Sequence, residues 1–204
     1  MMLEKVKAVL DHEAKAIRNI PVSDEYEAAI ELIHRHVHER GGKLVTAGMG
    51  KAGQIALNIA TTFSSTGTPA IFLHPSDSQH GDLGVLQERD VLLLVSNSGK
   101  TREILELVHL AERLHPDLPL IVITAKGDSE LAGMADICLL TGDPAEVCPL
   151  GMSPTTSTTV MTVIGDVLIV MMMDRIGFTH EEYAKRHHGG YLGQISRDRA
   201  RSRD

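Results

Sequence analysis

Three loops gather the residue types that hold an anion and move a proton. The first is Gly48-Met49-Gly50-Lys51-Ala52-Gly53. Its glycines allow a tight turn, and backbone amides at the start of the following helix suit an anion. Lys51 adds a cation at that turn. The loop looks in part like a dinucleotide fingerprint, yet no acidic residue follows the second strand to read a ribose; Leu73 and His74 stand there. The spacing of a Walker loop is absent too. A structural turn with a solvated lysine is the plainer alternative.

The second loop, Ser96-Asn97-Ser98-Gly99-Lys100-Thr101, follows the most apolar strand and opens a helix. Hydroxyls of Ser96, Ser98 and Thr101, the Asn97 amide and free helix N–H groups converge there, and phosphate oxygens need such donors. Gly99 lets the backbone approach closely. Simple N-capping by Ser98 is the alternative, but a cap needs only one hydroxyl. The third region runs from Cys148 to Pro154 and on through Thr155-Thr156-Ser157-Thr158-Thr159. Some of these hydroxyls cap the helix or bond back to its backbone, leaving one or two, Ser157 among them, to face a ligand. Glu146 stands just before this loop.

His74, His80, His187 and His188 lie in Gly- or Pro-rich loops, whereas His12, His34, His36, His38, His109 and His115 read as surface helix residues. Paired metal-ligand spacings are missing, so no metal site is expected.

These loops need elements to position them. Apolar residues at helical spacing mark helices through Leu3–Ile17 and Asp24–Arg40, the second stopped by Gly41 and Gly42. Strands over 43–47, 70–73, 90–96, 118–124 and 136–140 then alternate with helices over 52–64, 101–114 and 129–135. A long apolar helix over 155–177 and a short one over 179–187 follow. Val160–Met173 is short for a membrane span and includes Thr162, Gly165 and Asp166, so it reads as a buried helix. Continuous apolar strands between helices predict a three-layer α/β sandwich with a five-stranded parallel sheet, whose ligands bind beyond the C-terminal strand ends. Residues 1–193 form one domain; 194–204, rich in Arg and without an apolar anchor, read as a flexible tail or, less simply, a basic arm.

With 204 residues and 43% apolar content the chain fits one well-cored domain. Aromatics at 3% and a net charge of -7 argue against nucleic-acid or anionic-membrane partners. Two cysteines, Cys138 and Cys148, make no disulfide framework, and the start shows no signal peptide, so a cytoplasmic setting is expected.

Taken together and in this order, the segments 48–53, 63–84, 96–105, 146–159 and 187–193 resemble the sugar isomerase (SIS) domain family, and within it the arabinose 5-phosphate isomerase branch. The resemblance implies a five-stranded α/β fold, a phosphosugar substrate, no cofactor and a homotetramer. It implies interconversion of D-ribulose 5-phosphate and D-arabinose 5-phosphate, the latter feeding Kdo synthesis for lipopolysaccharide or capsule. Lys51, Glu103, Glu146 and His187 match the family's polar catalytic set, His80 a further active-site histidine, and Ser96–Gly99 its phosphate cradle. Gly50, Thr101, Ser157 and His188 fall beside them as candidate substrate contacts. Ala52 replaces the family's usual Ser, His188 stands where its final motif has Pro, and the paired CBS domains of many relatives have no counterpart in these residues.

Such an isomerisation moves a proton between adjacent carbons through an enediolate, and needs a base, a polarising group and a grip on phosphate. Glu103 in the first turn of a helix has an electrostatic reason to be there anyway; Glu146 has none visible in the sequence and is the expected base. Lys51 would polarise the carbonyl, Glu103 would orient the sugar or Lys51, and His187 would assist ring opening or shuttle a proton, reaching in from a neighbouring subunit. A non-catalytic phosphosugar sensor, or an isomerase of heptose or hexulose phosphates, remains the alternative. The first helices and the long apolar helix are the expected subunit contacts.

Overall fold

The computed structural model describes residues 1–201. Its strands are β1 (Leu44–Gly48), β2 (Ala70–Phe72), β3 (Val91–Val95), β4 (Leu120–Thr124) and β5 (Ile137–Leu140). The helices are α1 (Met2–Arg18), α2 (Glu25–Ile33), α3 (Gly50–Ser65), α4 (Pro75–Ser78), α5 (Arg102–Leu114), α6 (Glu130–Met134), α7 (Thr156–Arg175), α8 (His180–Arg186) and α9 (Gly190–Arg201). Every residue of β1, β3 and β4 is buried, which is why these strands are apolar throughout rather than alternating. Their two faces feed different cores. Leu44, Leu93, Val95 and Ile121 pack with α2, α3 and α7, while Val45, Leu92, Leu94 and Val122 pack with α5.

The strands are all parallel, in the order β2-β1-β3-β4-β5. From β1 the chain proceeds to one edge of the sheet, and from β3 to the other. The loops leaving β1 and β3 therefore part company at their C-terminal ends and open a crevice between them. Those two loops begin at Gly48 and Ser96, the segments whose residues suit an anion.

α7 is long and apolar enough to cross a bilayer, yet Val160, Met161, Ile164, Leu168 and Met172 are buried in the core. Gly165 brings it close to α3: a Cβ there would lie 2.6 Å from Cγ1 of buried Ile59. Its other side exposes Val167, Val170 and Met171. On α1 only Ala16 is buried; Leu3, Val6 and Leu10 of the apolar stripe are exposed.

Some expectations need correction. The helix read over 24–40 ends at Ile33, and a π-helical stretch, His34–Glu39, continues it. His36, expected on the surface, is only 8% exposed. His38 bonds Thr68 Oγ1 at 3.0 Å through Nε2, and its ring stacks with His34. Periodicity also missed α4, too short to show a repeat, and α9. Residues up to Arg201 of the expected tail lie on α9, where Ser196 is buried and its hydroxyl donates to the His180 carbonyl at 2.8 Å; 202–204 lie outside the described residues.

Burial and the nearby Arg40 and Arg35 hold the His36 imidazole below its ordinary pKa, against a bond to the Arg89 backbone that pulls it up. Burial and His34 do the same to His38. Unfolded histidines titrate near 6.5. The neutral rings thus stabilise the fold fully above about pH 6.5, and that stability is lost as pH falls from there through the folded values. Thermal melts should lose about 2–5 °C between pH of about 7.5 and 5.5, and a His36→Gln/His38→Gln variant should lose much less. Equal losses would refute the assignment. Gly165→Ala should cost about 1–3 kcal/mol in urea denaturation, because displacing Ile59 outweighs the roughly 1 kcal/mol gain in helix propensity.

Candidate active site

At the end of β1, Gly48 and Gly53 pack backbone on backbone; a Cβ on Gly53 would lie 2.6 Å from the Gly48 carbonyl oxygen. Gly50, at φ +57, opens α3 in a left-handed conformation that favours glycine. Met49 occupies the N-cap and its side chain caps nothing, so the first amides of α3 are open. Lys51 is exposed in that first turn and makes no ion pair or side-chain hydrogen bond among the described residues. It lines a groove of about 370 Å³ with Gln54 and Asn58 of α3 and Pro154, Thr158 and Thr162 across from it.

The loop after β3 is held from below. A Cβ on Gly99, at φ +60, would strike Ser129 Oγ at 2.0 Å, and the Gly99 carbonyl accepts from Leu131 N. The Asn97 carbonyl accepts from Ala125 N at 3.1 Å and from the Thr124 hydroxyl at 3.2 Å. Buried Ser96 pairs its hydroxyl with that of Thr101 at 3.2 Å. Capping by Ser98 does not occur. Its hydroxyl accepts from Lys100 N, Thr101 is the N-cap residue of α5, and no side chain caps that helix. The N-terminus of α5 is therefore open beneath the exposed side chains of Asn97 and Ser98. Glu103, half-buried in the first turn, makes no hydrogen bond or ion pair with Lys51 among the described residues.

Glu146 has the helical role that the sequence hides. Its carboxylate accepts from Thr155 N at 2.7 Å, Thr155 Oγ1 at 2.9 Å, Ser157 N at 3.3 Å and the Ser157 hydroxyl. It is the cap of α7, supplied from outside the helix. Burial pushes this carboxyl up, but the bonds from Ser157 and Thr155 outweigh it and hold the group below the usual carboxylate range. Two residues on, Cys148 Sγ accepts from Met152 N and Ser153 N, and these bonds bring its thiol down to about 7.

The histidines lie elsewhere. His80 is exposed, one residue before Gly81 with φ +115. His74 caps nothing and packs edge-on to Phe72. His187 stacks on Tyr183 with ring centroids 3.7 Å apart, and Nδ1 meets the Tyr183 carbonyl at 3.0 Å. A carbonyl only accepts, so Nδ1 is the donor in this bond. Tyr183 in turn lies 6.4 Å from Phe178, which covers Gly67 at the far end of α3. α7 has 20 residues, about 30 Å of helix, between that end and Glu146. His187 and exposed His188 are thus roughly 20 Å from Glu146 within one chain, and the fold does not bring them together.

A hollow of about 670 Å³ lies at the N-terminal ends of β3, β4 and β5, lined by Arg35, Leu92, Asp117, Pro119, Leu120 and Ile137, away from all three loops. Among the described residues no cluster of three His, Cys, Asp or Glu side chains could hold a metal. The sequence also conceals Thr155 as a donor to Glu146, and the contacts of His12, Glu13 and Thr156 beside that loop; partners 133 and 143 residues apart leave no local signal.

Residues 36–171 match the model of the SIS domain family. Arabinose 5-phosphate isomerase KdsD of Yersinia pestis is 43% identical over 92% of this chain and 56% of its own length. The Escherichia coli K12 protein of that name is 47% identical over 75% of this chain and 46% of its own. The chain spans about half the length of these curated relatives. Among solved structures, a Bacteroides fragilis NCTC 9343 protein assigned as a phosphosugar isomerase involved in capsule formation has 66% identity and a TM-score of 0.92, covering 94% of this chain and 100% of that one. An E. coli CFT073 protein solved in complex with arabinose 5-phosphate has 33% identity and a TM-score of 0.84, covering 91% and 97%. With a family model matched over most of its length and the same parallel sheet beneath the same loops, the chain belongs to the SIS domain family.

Proposed function

We propose that the chain is an aldose–ketose isomerase interconverting D-ribulose 5-phosphate and D-arabinose 5-phosphate, supplying Kdo synthesis. The observation that carries this reading is an ionised carboxylate, Glu146, at the start of α7, whose Thr158 lines one groove with the unpaired Lys51 and with Pro154 of the preceding loop. Relatives named for that activity support it. The open helix N-termini of α3 and α5 flank the crevice where a phosphate would be gripped, with Gly50, Ser96, Asn97, Ser98 and Thr101 as donors. Proton transfer needs no redox cofactor.

In this mechanism Glu146 takes the proton from the hydroxyl-bearing carbon beside the carbonyl and returns it to the former carbonyl carbon, while the hydroxyl proton passes to the former carbonyl oxygen. Its ionised state is assured, but each lone pair shared with Thr155 or Ser157 weakens it as a base. Substrate docking has to draw Ser157 toward a sugar hydroxyl before the carboxylate can act. Lys51 stabilises the enediolate oxygen, and Glu103 orients the sugar. His187 and His188 cannot reach this carboxylate in their own chain, so a second copy presents them, with Nε2 of His187 serving ring opening. The exposed faces of α1 and α7 are the surfaces on which such a homotetramer would form, in the cytoplasm. His80 would meet the substrate from the β2 side.

Turnover of D-ribulose 5-phosphate should be readily measured for the wild type, and Glu146→Gln should lower kcat by about 10³-fold or more while phosphosugar binding persists. Tight binding by the wild type without turnover would instead mark a sensor. Absence of both would direct the search to heptose and hexulose phosphates. Gly99→Ala, which forces the loop off Ser129, should raise KM by about tenfold or more with a smaller change in kcat.

A further inference from the structure

Glu146 lies in a segment, 141–155, that has neither helix nor strand. A base must nevertheless be held to a fraction of an ångström. Its four hydrogen bonds fix the carboxylate against α7, but they do not fix the peptide that carries it. Two contacts from α1 do. His12 donates from Nε2 to the carbonyl of Ala145 at 2.8 Å. On the other side, Val147 N donates to Thr156 Oγ1 at 3.2 Å, and that hydroxyl passes its own proton to Glu13 Oε1 at 2.7 Å. Thr156 is fully buried. The second oxygen of Glu13 is buried as well and has no hydrogen-bond partner among the described residues. A third contact closes the segment's start, where a Cβ on Gly142 would lie 3.0 Å from the carbonyl oxygen of Asn19, just beyond α1.

We propose that Glu13 is a positioning residue for Glu146, acting through the Thr156 hydroxyl, with His12 as the second jaw of the same clamp. The two residues flanking Glu146 in the chain are each tied to α1, so rotation of its backbone is blocked from both sides. Glu13 does nothing to the substrate itself. The carbonyl oxygen of a glutamine can accept the Thr156 proton equally well, whereas alanine leaves that buried hydroxyl without an acceptor. This inference rests on the reading of Glu146 as the base, and its test has an arm independent of turnover.

That arm is Cys148, whose lowered thiol pKa depends on Met152 and Ser153 amides in the same segment. The rate of iodoacetamide alkylation at Cys148, located by peptide mass spectrometry, would be followed against pH in the full-length chain. The wild type and Glu13→Gln should share a midpoint near 7. Glu13→Ala and Thr156→Val should both move it up by about one unit, toward the ordinary cysteine value near 8.5. In turnover of D-ribulose 5-phosphate, the last two variants should lose about 10- to 100-fold in kcat with KM within about threefold, and Glu13→Gln should stay within about threefold of wild type. Combined with Glu146→Gln, Glu13→Ala should cause no further loss. An unshifted Cys148 midpoint in both Glu13→Ala and Thr156→Val would overturn the clamp, as would an additive loss of kcat in the double variant. A shifted midpoint in a chain that turns over no pentulose phosphate would uphold the clamp and sink the isomerase reading. Thr156→Val keeps the side-chain shape, so the test survives if Glu13→Ala does not fold.

Discussion

A helix that begins inside a protein leaves its first amides in need of acceptors. At the start of α7 that need is met by Glu146, nine to eleven residues upstream of its donors. The same bonds that terminate the helix also stabilise the carboxylate's charge, and the positive end of the helix adds to the effect. Helix stability and the protonation state of the proposed base are thus one interaction. The depth at which α7 sits is set independently, by Gly165 against Ile59, and this fixes how far its first turn stands from Lys51 on α3. The arrangement contains a tension. Donors that hold a carboxylate ionised also lower its appetite for a proton, so the site is tuned for readiness in the resting state rather than for basicity.

Much of the fold was legible because burial on both faces leaves an unmistakable signature. The runs VLLLV and LIVIT read as inner parallel strands, and the structure buries both throughout. What the residues could not reveal was strand order, and it is order that makes the loops after β1 and β3 diverge. Glu146 has a local role that its sequence context hides. It stood out as an acid with no helix to serve, but it serves α7 from outside, through a loop whose path depends on contacts with α1. His36 was misplaced because its helix changes pitch at His34, and a wider turn is invisible to a count of threes and fours.

The histidines of the last loop teach a related lesson about distance. Their place in the chain is soon after the hydroxyl-rich start of α7. A straight helix of 20 residues carries the chain away from it. Sequence proximity across a long helix is spatial remoteness, and a residue there joins a site at the helix start only by belonging to another molecule. α1 and α7 leave apolar stripes bare.

One boundary deserves to be redrawn. The model of the SIS domain family matches from residue 36, inside the π-helical stretch, and so leaves α1 and α2 outside it, although the Yersinia pestis relative aligns over 92% of the chain. Every loop that resembles its relatives up to Thr159 would survive a cut at that point, and the piece would look whole by inspection of motifs. It would lack His12 and Glu13, the two side chains that tether the peptide on either side of Glu146. If the proposed clamp holds, the functional unit of this chain is longer than the span of the family model, because a helix outside that span supplies the anvil on which the loop is set.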